Sequence, residues 1–163
     1  MAKLTHYTKR GQVRMVDVTA KPVTRRAAGA RGFVRMKGSV LAQVRRLRTP
    51  KGNPLEVARI AGILAAKRTS EWIPLCHPLP LTHIDVSARL VKNGIEITSR
   101  VTTSAQTGVE MEALVAVAAA GLTIYDMCKA LDKGIAITDI FLVEKVGGKS
   151  GRYVSGRGRS RRG

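Results

Sequence analysis

The stretch "TGVEMEALVAVAAAGLTIYDMCKAL", residues 107–131, limits the chain more than any other. From about residue 108 to 131 it has helical periodicity. At 100° per residue, Leu114, Val115, Val117, Leu122, Ile124 and Tyr125 leave it no wide polar face. Such a helix has to be enclosed by other elements. Its longest uncharged apolar run, 113–125, is 13 residues, short of the ~20 needed to cross a bilayer, so it is expected as a core helix. At its start, Thr107 and Glu110 fit the T-x-x-E capping box, which gives Glu110 a structural reason. Glu112 has no reason that specific. At its end stand Asp126 and Lys129. An i,i+3 pair of this kind is ordinarily a surface bridge worth a few tenths of a kcal/mol. On an enclosed helix the pair is expected to be partly buried, where charges are costly unless paired or used, and this favours chemistry.

The elements that could enclose the helix are legible on either side. "GFVRMK" (32–37) reads as a strand, and Val40, Leu41, Val44 and Leu47 repeat at helical spacing after it. Beyond the "TPKGNP" loop, residues 55–68 place Val57, Ile60, Ala61 and Leu64 on one stripe of a second helix. "WIPLCHPLPL" is too proline-rich to be helical. Ile84, Val86, Ala88 and Leu90 alternate, the Asn-Gly of "KNG" predicts a tight turn, and Ile95 and Ile97 resume the alternation, which makes a hairpin. Residues 139–146 supply a last strand. The order β, α(α), β, β, α, β predicts an α+β fold of the ferredoxin-like split βαβ kind, an antiparallel sheet with helices packed on one face. One domain over 1–151 is expected. The Arg- and Gly-rich residues 152–163 cannot bury apolar area and are expected to be a disordered tail.

The formal net charge of +18 calls for an anionic partner: nucleic acid, an anionic membrane or a phosphorylated small molecule. Besides the tail, residues 18–55 carry ten Lys or Arg and no acid, which is either a solvated basic face or an anion site. Aromatic residues make up only 4% of the chain, so stacking platforms are scarce, and no RRM, zinc-finger or clear KH motif is present. Nucleic acid is therefore the weaker reading. Cys76 and Cys128 lie far apart without a CxxC, and no apolar signal follows "MAKLTHYTKR". A cytoplasmic protein with free thiols is expected.

Two shorter motifs bear on chemistry. In "IPLCHPLPL", Pro74, Pro78 and Pro80 stiffen the backbone around Cys76 and His77, which suits presentation of a ligand-positioning side chain. His6, His77 and His83 with the two cysteines match no metal spacing. "VEKVGGKSG" contains GKS, but a P-loop needs glycine where Val143 stands. The paired glycines still allow backbone to approach an anion beside Lys145 and Lys149.

Together "MVDVTAK", "ARIAGILAAKRTSEWIPLCHPLPLT", "TGVEMEALVAVAAAGLTIYDMCKAL" and "GGKSG" resemble the MoaC family, the cyclic pyranopterin monophosphate synthases of molybdenum cofactor biosynthesis. The resemblance runs from about Leu4 to Gly151. It implies a ferredoxin-like subunit in a homohexamer, a trimer of dimers with active sites at the dimer interface. The implied reaction turns 3′,8-cyclo-7,8-dihydroguanosine 5′-triphosphate into cyclic pyranopterin monophosphate and pyrophosphate, with no redox cofactor; Mg²⁺ accompanying the triphosphate is left open. By motif, Asp126 and Lys129 match the catalytic acid–base residues. Leu75, Cys76, His77, Met111 and Glu112 match the substrate-binding segments, and Lys51, Arg26 and Lys145 match basic positions around the triphosphate and reacting centre. Gln106, where the pattern has a basic residue, and Pro50, directly before Lys51, depart from it.

Overall fold

The computed structural model describes residues 10–47 and 49–159. His6 and the last arginines of the tail lie outside the described residues. Among these residues the order is β1 (Thr24–Arg35), α1 (Gly38–Arg45), α2 (Pro54–Lys67), the short α3 (Thr69–Trp72), β2 (Leu81–Val91), β3 (Gly94–Ala105), α4 (Glu110–Cys128), β4 (Ala136–Val146) and β5 (Tyr153–Val154), with a 3-10 turn over Gly156–Arg159. The sheet runs β2-β3-β1-β4-β5, and every pairing is antiparallel. The first four strands have the ferredoxin-like order, and α2 and α4 pack on the sheet.

β1 begins eight residues before the expected strand. It lies at the centre of the sheet, and Ala28, Gly29, Ala30 and Gly32 give it no large apolar alternation to read. Small residues are needed because α4 lies close above: a Cβ on Gly32 would stand 2.5 Å from the Val117 side chain. The core is built from Val34, Val86, Ile95, Ile97 and Val101 of the sheet against Val117 and Ile124 of α4. α4 has 19 residues and is apolar enough by length and composition to cross a membrane, yet most of it is buried in this core.

α2 reverses one expectation. Its buried face is small, with Ala58, Gly62, Ala65 and Ala66, and a Cβ on Gly62 would meet the Ala116 carbonyl at 2.9 Å. Close packing on α4 uses that face, so Val57, Ile60 and Leu64 point outward, with Ile60 59% exposed. Leu47 also leaves its expected stripe: α1 ends at Arg45, and Leu47 has φ 52° on an exposed turn. In the hairpin, the turn falls on Lys92–Asn93, and Gly94 already pairs with Val91. Gly94 serves close approach, because a Cβ there would strike the Val34 carbonyl and the Phe33 ring. The tail expected from 152 onward is ordered at its start: Tyr153 pairs with Lys145, Val154 with Glu144, and Ser155 N–H donates to the Val143 carbonyl at 2.8 Å.

Candidate active site

The N-terminal end of α4 closes a cavity of about 530 Å³. Its apolar walls include Val16, Val18, Ile73, Leu75 and Leu79, with Met111 beside them, and its polar lining is Lys21, Cys76, His77, Thr107, Glu110 and Glu112. The proline-rich segment follows α3 through a turn in which Cys76 N–H donates to the Ile73 carbonyl at 3.0 Å. His77 Nε2 lies 2.9 Å from the Val16 carbonyl. A carbonyl only accepts, so this nitrogen carries the hydrogen, and in the neutral ring Nδ1 is left as an acceptor. The same bond ties the segment before β1 over the cavity.

Glu112 is 4% exposed. Burial pushes its carboxyl up to about 7; its own backbone N–H opposes the rise, and the neighbouring Glu110 carboxylate adds to it. Burial also raises the Cys76 thiol, with the Glu112 charge as a further cause. The expected capping box does not form. Val109 occupies the N-cap position with no side-chain cap bond, and Thr107 and Glu110 face the cavity instead. Glu110 was thus missed as a site residue because a capping role accounted for it. The available signal was two glutamates two positions apart in one helical turn.

A second cavity, about 850 Å³, adjoins the first and is cationic. Arg26, Lys21 and Lys149 line it with Thr24, Gln106, Thr107, Gly148 and Ser150. Arg26 is fixed by the end of the neighbouring strand β3: Nε donates to the Ala105 carbonyl and Nη2 to the Gln106 carbonyl, both at 3.0 Å. Gln106 therefore contributes its backbone here. Gly147 and Gly148, at φ 99° and 71°, bend the loop around Arg26 so closely that a Cβ on Gly148 would strike its guanidinium. Lys145 does not line the cavity; its ammonium donates to Ser150 Oγ and braces the loop that carries Lys149.

Asp126, Lys129 and Lys51 meet at the other end of α4. Asp126 Oδ1 accepts from Lys129 Nζ at 2.7 Å, and Oδ2 accepts from Lys51 Nζ at 2.5 Å. The structure thus places Lys51 beside Asp126 and Lys129, and not among the residues that line the cavity with Arg26. The expected burial is not found in the single chain: the Asp126 and Lys129 side chains are each 51% exposed. Leu122, one turn before Asp126, is also exposed at 56%, so this stripe of α4 runs out from under sheet and α2. The hydrogen bonds from Lys129 and Lys51 hold the Asp126 carboxyl down to about 2, and Asp126 in turn raises Lys129. The Asp126 carboxylate thus sits between the Lys51 and Lys129 side chains.

Glu112 and Asp126 are 14 residues apart on one helix, ~21 Å along its axis. One chain thus has a cavity at the start of α4 and an ion triad at its end, too far apart to act on one small reacting centre. Among the described residues, no group of three or more His, Cys, Asp or Glu side chains is placed to hold a metal ion.

A ferredoxin-like subunit with an acid-lined cavity beside a cationic one has the concave, mixed-charge lining of a small-molecule site. The MoaC family pattern matches residues 15–148. The cyclic pyranopterin monophosphate synthase of Thermomicrobium roseum is 57% identical over 155 residues, covering 94% of this chain and 93% of that protein. Those of Heliobacterium modesticaldum and Parvibaculum lavamentivorans are 56% and 52% identical, over 94% and 93% of this chain and 98% and 96% of theirs. The chain belongs to the MoaC family.

Proposed function

We infer that the protein is a cyclic pyranopterin monophosphate synthase, a lyase of molybdenum cofactor biosynthesis that acts on a nucleotide-derived substrate. The substrate is 3′,8-cyclo-7,8-dihydroguanosine 5′-triphosphate, and the products are cyclic pyranopterin monophosphate and pyrophosphate. The observation that carries the reading is the adjoining pair of cavities. The first is wide enough for a bicyclic head and holds Glu112, which in its ionised form accepts two N–H bonds from a guanine-like edge. The second gathers Arg26, Lys21 and Lys149, which suit a polyphosphate.

The triad supplies the proton chemistry. Asp126 at about 2 is a weak base, and a lysine held protonated is a weak acid, so the pair in open water is far from the near-neutral values that make proton transfer efficient. Withdrawing water would raise the carboxylate and lower the ammonium, moving both toward neutrality. A second subunit is suited to do this. The exposed Val57, Ile60 and Leu64 of α2 and Leu122 of α4 form apolar surface on two packed helices, and Leu122 lies one turn from Asp126. The assembly is read as a homohexamer, a trimer of dimers, in which the cavities of one subunit meet the triad of its partner. The reaction is read as proceeding without a redox cofactor in the cytoplasm, a setting in which Cys76 and Cys128, both free thiols, would persist. Mg²⁺ is treated as a companion of the triphosphate, to be titrated in the assay.

The test is to incubate the assembled protein with the cyclic nucleotide and measure pyrophosphate and pterin product, with and without Mg²⁺. Release of both is expected. No turnover by correctly assembled protein would overturn the reading.

A further inference from the structure

We propose that Trp72 of each subunit packs over the Asp126–Lys129–Lys51 triad of a second copy and is the side chain that keeps water from it. The inference rests on the two-subunit reading above and names the residue that dries the triad, which that reading leaves open. Glu112, Val115, Ala119, Leu122 and Asp126 fall within about 80° of one another around α4, so they form one stripe running from the first cavity to the triad. The start of the stripe is covered from within the chain: Val115 and Ala119 are buried in a small cluster with Ala65 of α2, and Ile73 packs against it. Its end is bare, with Leu122 56% exposed and Asp126 half-exposed. Trp72, next to Ile73 at the covered end, is itself 54% exposed.

A second copy of the chain fits both exposed surfaces at once. In a two-fold contact, whatever the first copy offers to the second, the second offers to the first. Antiparallel pairing of the two stripes sets the start of one α4 against the end of the other, so the exposed indole of each chain meets the bare end of its partner. Charge favours the same direction. Glu110 and Glu112 are the acids at the start of α4, whereas two lysines flank one aspartate at its end; parallel pairing brings like charges together. The exposed Ile60 and Leu64 of α2, the helix packed along α4, extend the apolar surface. An indole suits the task, being large enough to displace water while its face accepts an ammonium without adding a competing acid. With water excluded, Asp126 and Lys129 exchange protons with the ligand and not with solvent.

The chain has one tryptophan, so its fluorescence reports the contact directly. Emission is expected at shorter wavelength in the assembled protein than in dissociated subunits, and Asp126→Ala should shift it in the assembly alone, because within one chain the two residues lie at opposite ends of α4. In turnover by assembled protein, Trp72→Ala should lower kcat by about tenfold or more, a part of the roughly 10²–10⁴ that a tuned acid or base contributes, and leave KM within about twofold. Trp72→Phe should recover most of kcat. Hybrids give the direction of the contact. Trp72→Ala subunits reassembled with Asp126→Ala subunits should return roughly a quarter of wild-type turnover, since half the pairs are hybrids and each has one site free of both changes. Reassembled with Glu112→Ala subunits they should gain nothing, since Trp72 and Glu112 of one chain serve the same site. The reverse pattern, an unchanged kcat, or emission indifferent to both assembly and Asp126→Ala would overturn the proposal while the functional reading stands. If the wild type turns nothing over, the functional reading falls, and the emission comparison still decides whether Trp72 meets the triad; it also decides if Trp72→Ala fails to assemble.

Discussion

The two ends of α4 hold acids in opposite states. Glu112 is almost fully buried and its carboxyl is pushed up to about 7; Asp126 is half-exposed and held down to about 2. Both sit on the same helix, and the helix dipole would push the other way at each end, favouring charge on Glu112 and opposing it on Asp126. Burial outweighs the dipole at the first position, and two lysines outweigh it at the second. The start of α4 thus carries an acid poised to titrate near neutrality. Its far end has charges without dry surroundings, and this contrast is the physical case for the proposed second subunit.

The largest effect is expected at the triad. Lys129→Ala and Asp126→Ala should each lower product formation by a hundredfold or more, of the order that a positioned acid or base contributes, roughly 10²–10⁴. Melting of the subunit, followed by calorimetry, should stay near wild type because both side chains are half-exposed in the single chain, and light scattering is used to compare only correctly assembled protein. Next in size is Leu64→Glu on the outward face of α2. An apolar side chain buried in an interface contributes ~1.5–3 kcal/mol, so subunit association should weaken by one to two powers of ten, read as a shift to smaller species by light scattering.

The pH dependence sharpens the contrast further. Glu112 has a raised carboxyl in the folded chain, so between its unfolded value near 4.5 and about 7 the folded state binds the extra proton. Stability should therefore fall as pH rises through that window, by on the order of 3 kcal/mol, and Glu112→Gln should flatten the fall in chemical-denaturation curves taken from pH 4.5 to 7.5. Asp126 acts with the opposite sign. Its carboxyl is lowered, so its contribution is present above its unfolded value near 3.8 and is lost as pH falls through about 2. An Asp126→Ala protein should lack that acid-side step. The smallest effect is expected from deleting 152–163. Activity should remain within about twofold, and stability should drop by no more than ~1 kcal/mol, since β5 adds only two paired residues to an edge of the sheet.

What the sequence made legible follows from where large apolar residues fall. The β2–β3 hairpin and α4 announce themselves because their periodicity is written in Ile, Val and Leu. β1 did not over its first half, since a central strand under a close helix needs Ala and Gly, which carry no pattern. The same effect inverted α2: periodicity marks a stripe but cannot say whether the core or a neighbour covers it, and here the small-residue face took the core. Leu75, Cys76, His77, Met111 and Glu112 do come together in one cavity. That convergence of a stiff loop with a helix start is a tertiary fact that sequence spacing does not carry. Lys51 is the clearest case, since only the antiparallel pairing of α2 and α4 brings the loop before α2 to the end of α4.

The central claim is that the binding end of one α4 works with the reacting end of another. Glu112→Ala and Asp126→Ala proteins, each inactive alone, are to be dissociated, mixed in equal amounts and reassembled. In randomly mixed two-fold dimers, half the pairs are hybrids and each hybrid keeps one site free of both changes, so roughly a quarter of wild-type product formation should return. No recovery in demonstrably mixed assemblies, or full turnover by an isolated monomer, would contradict the account.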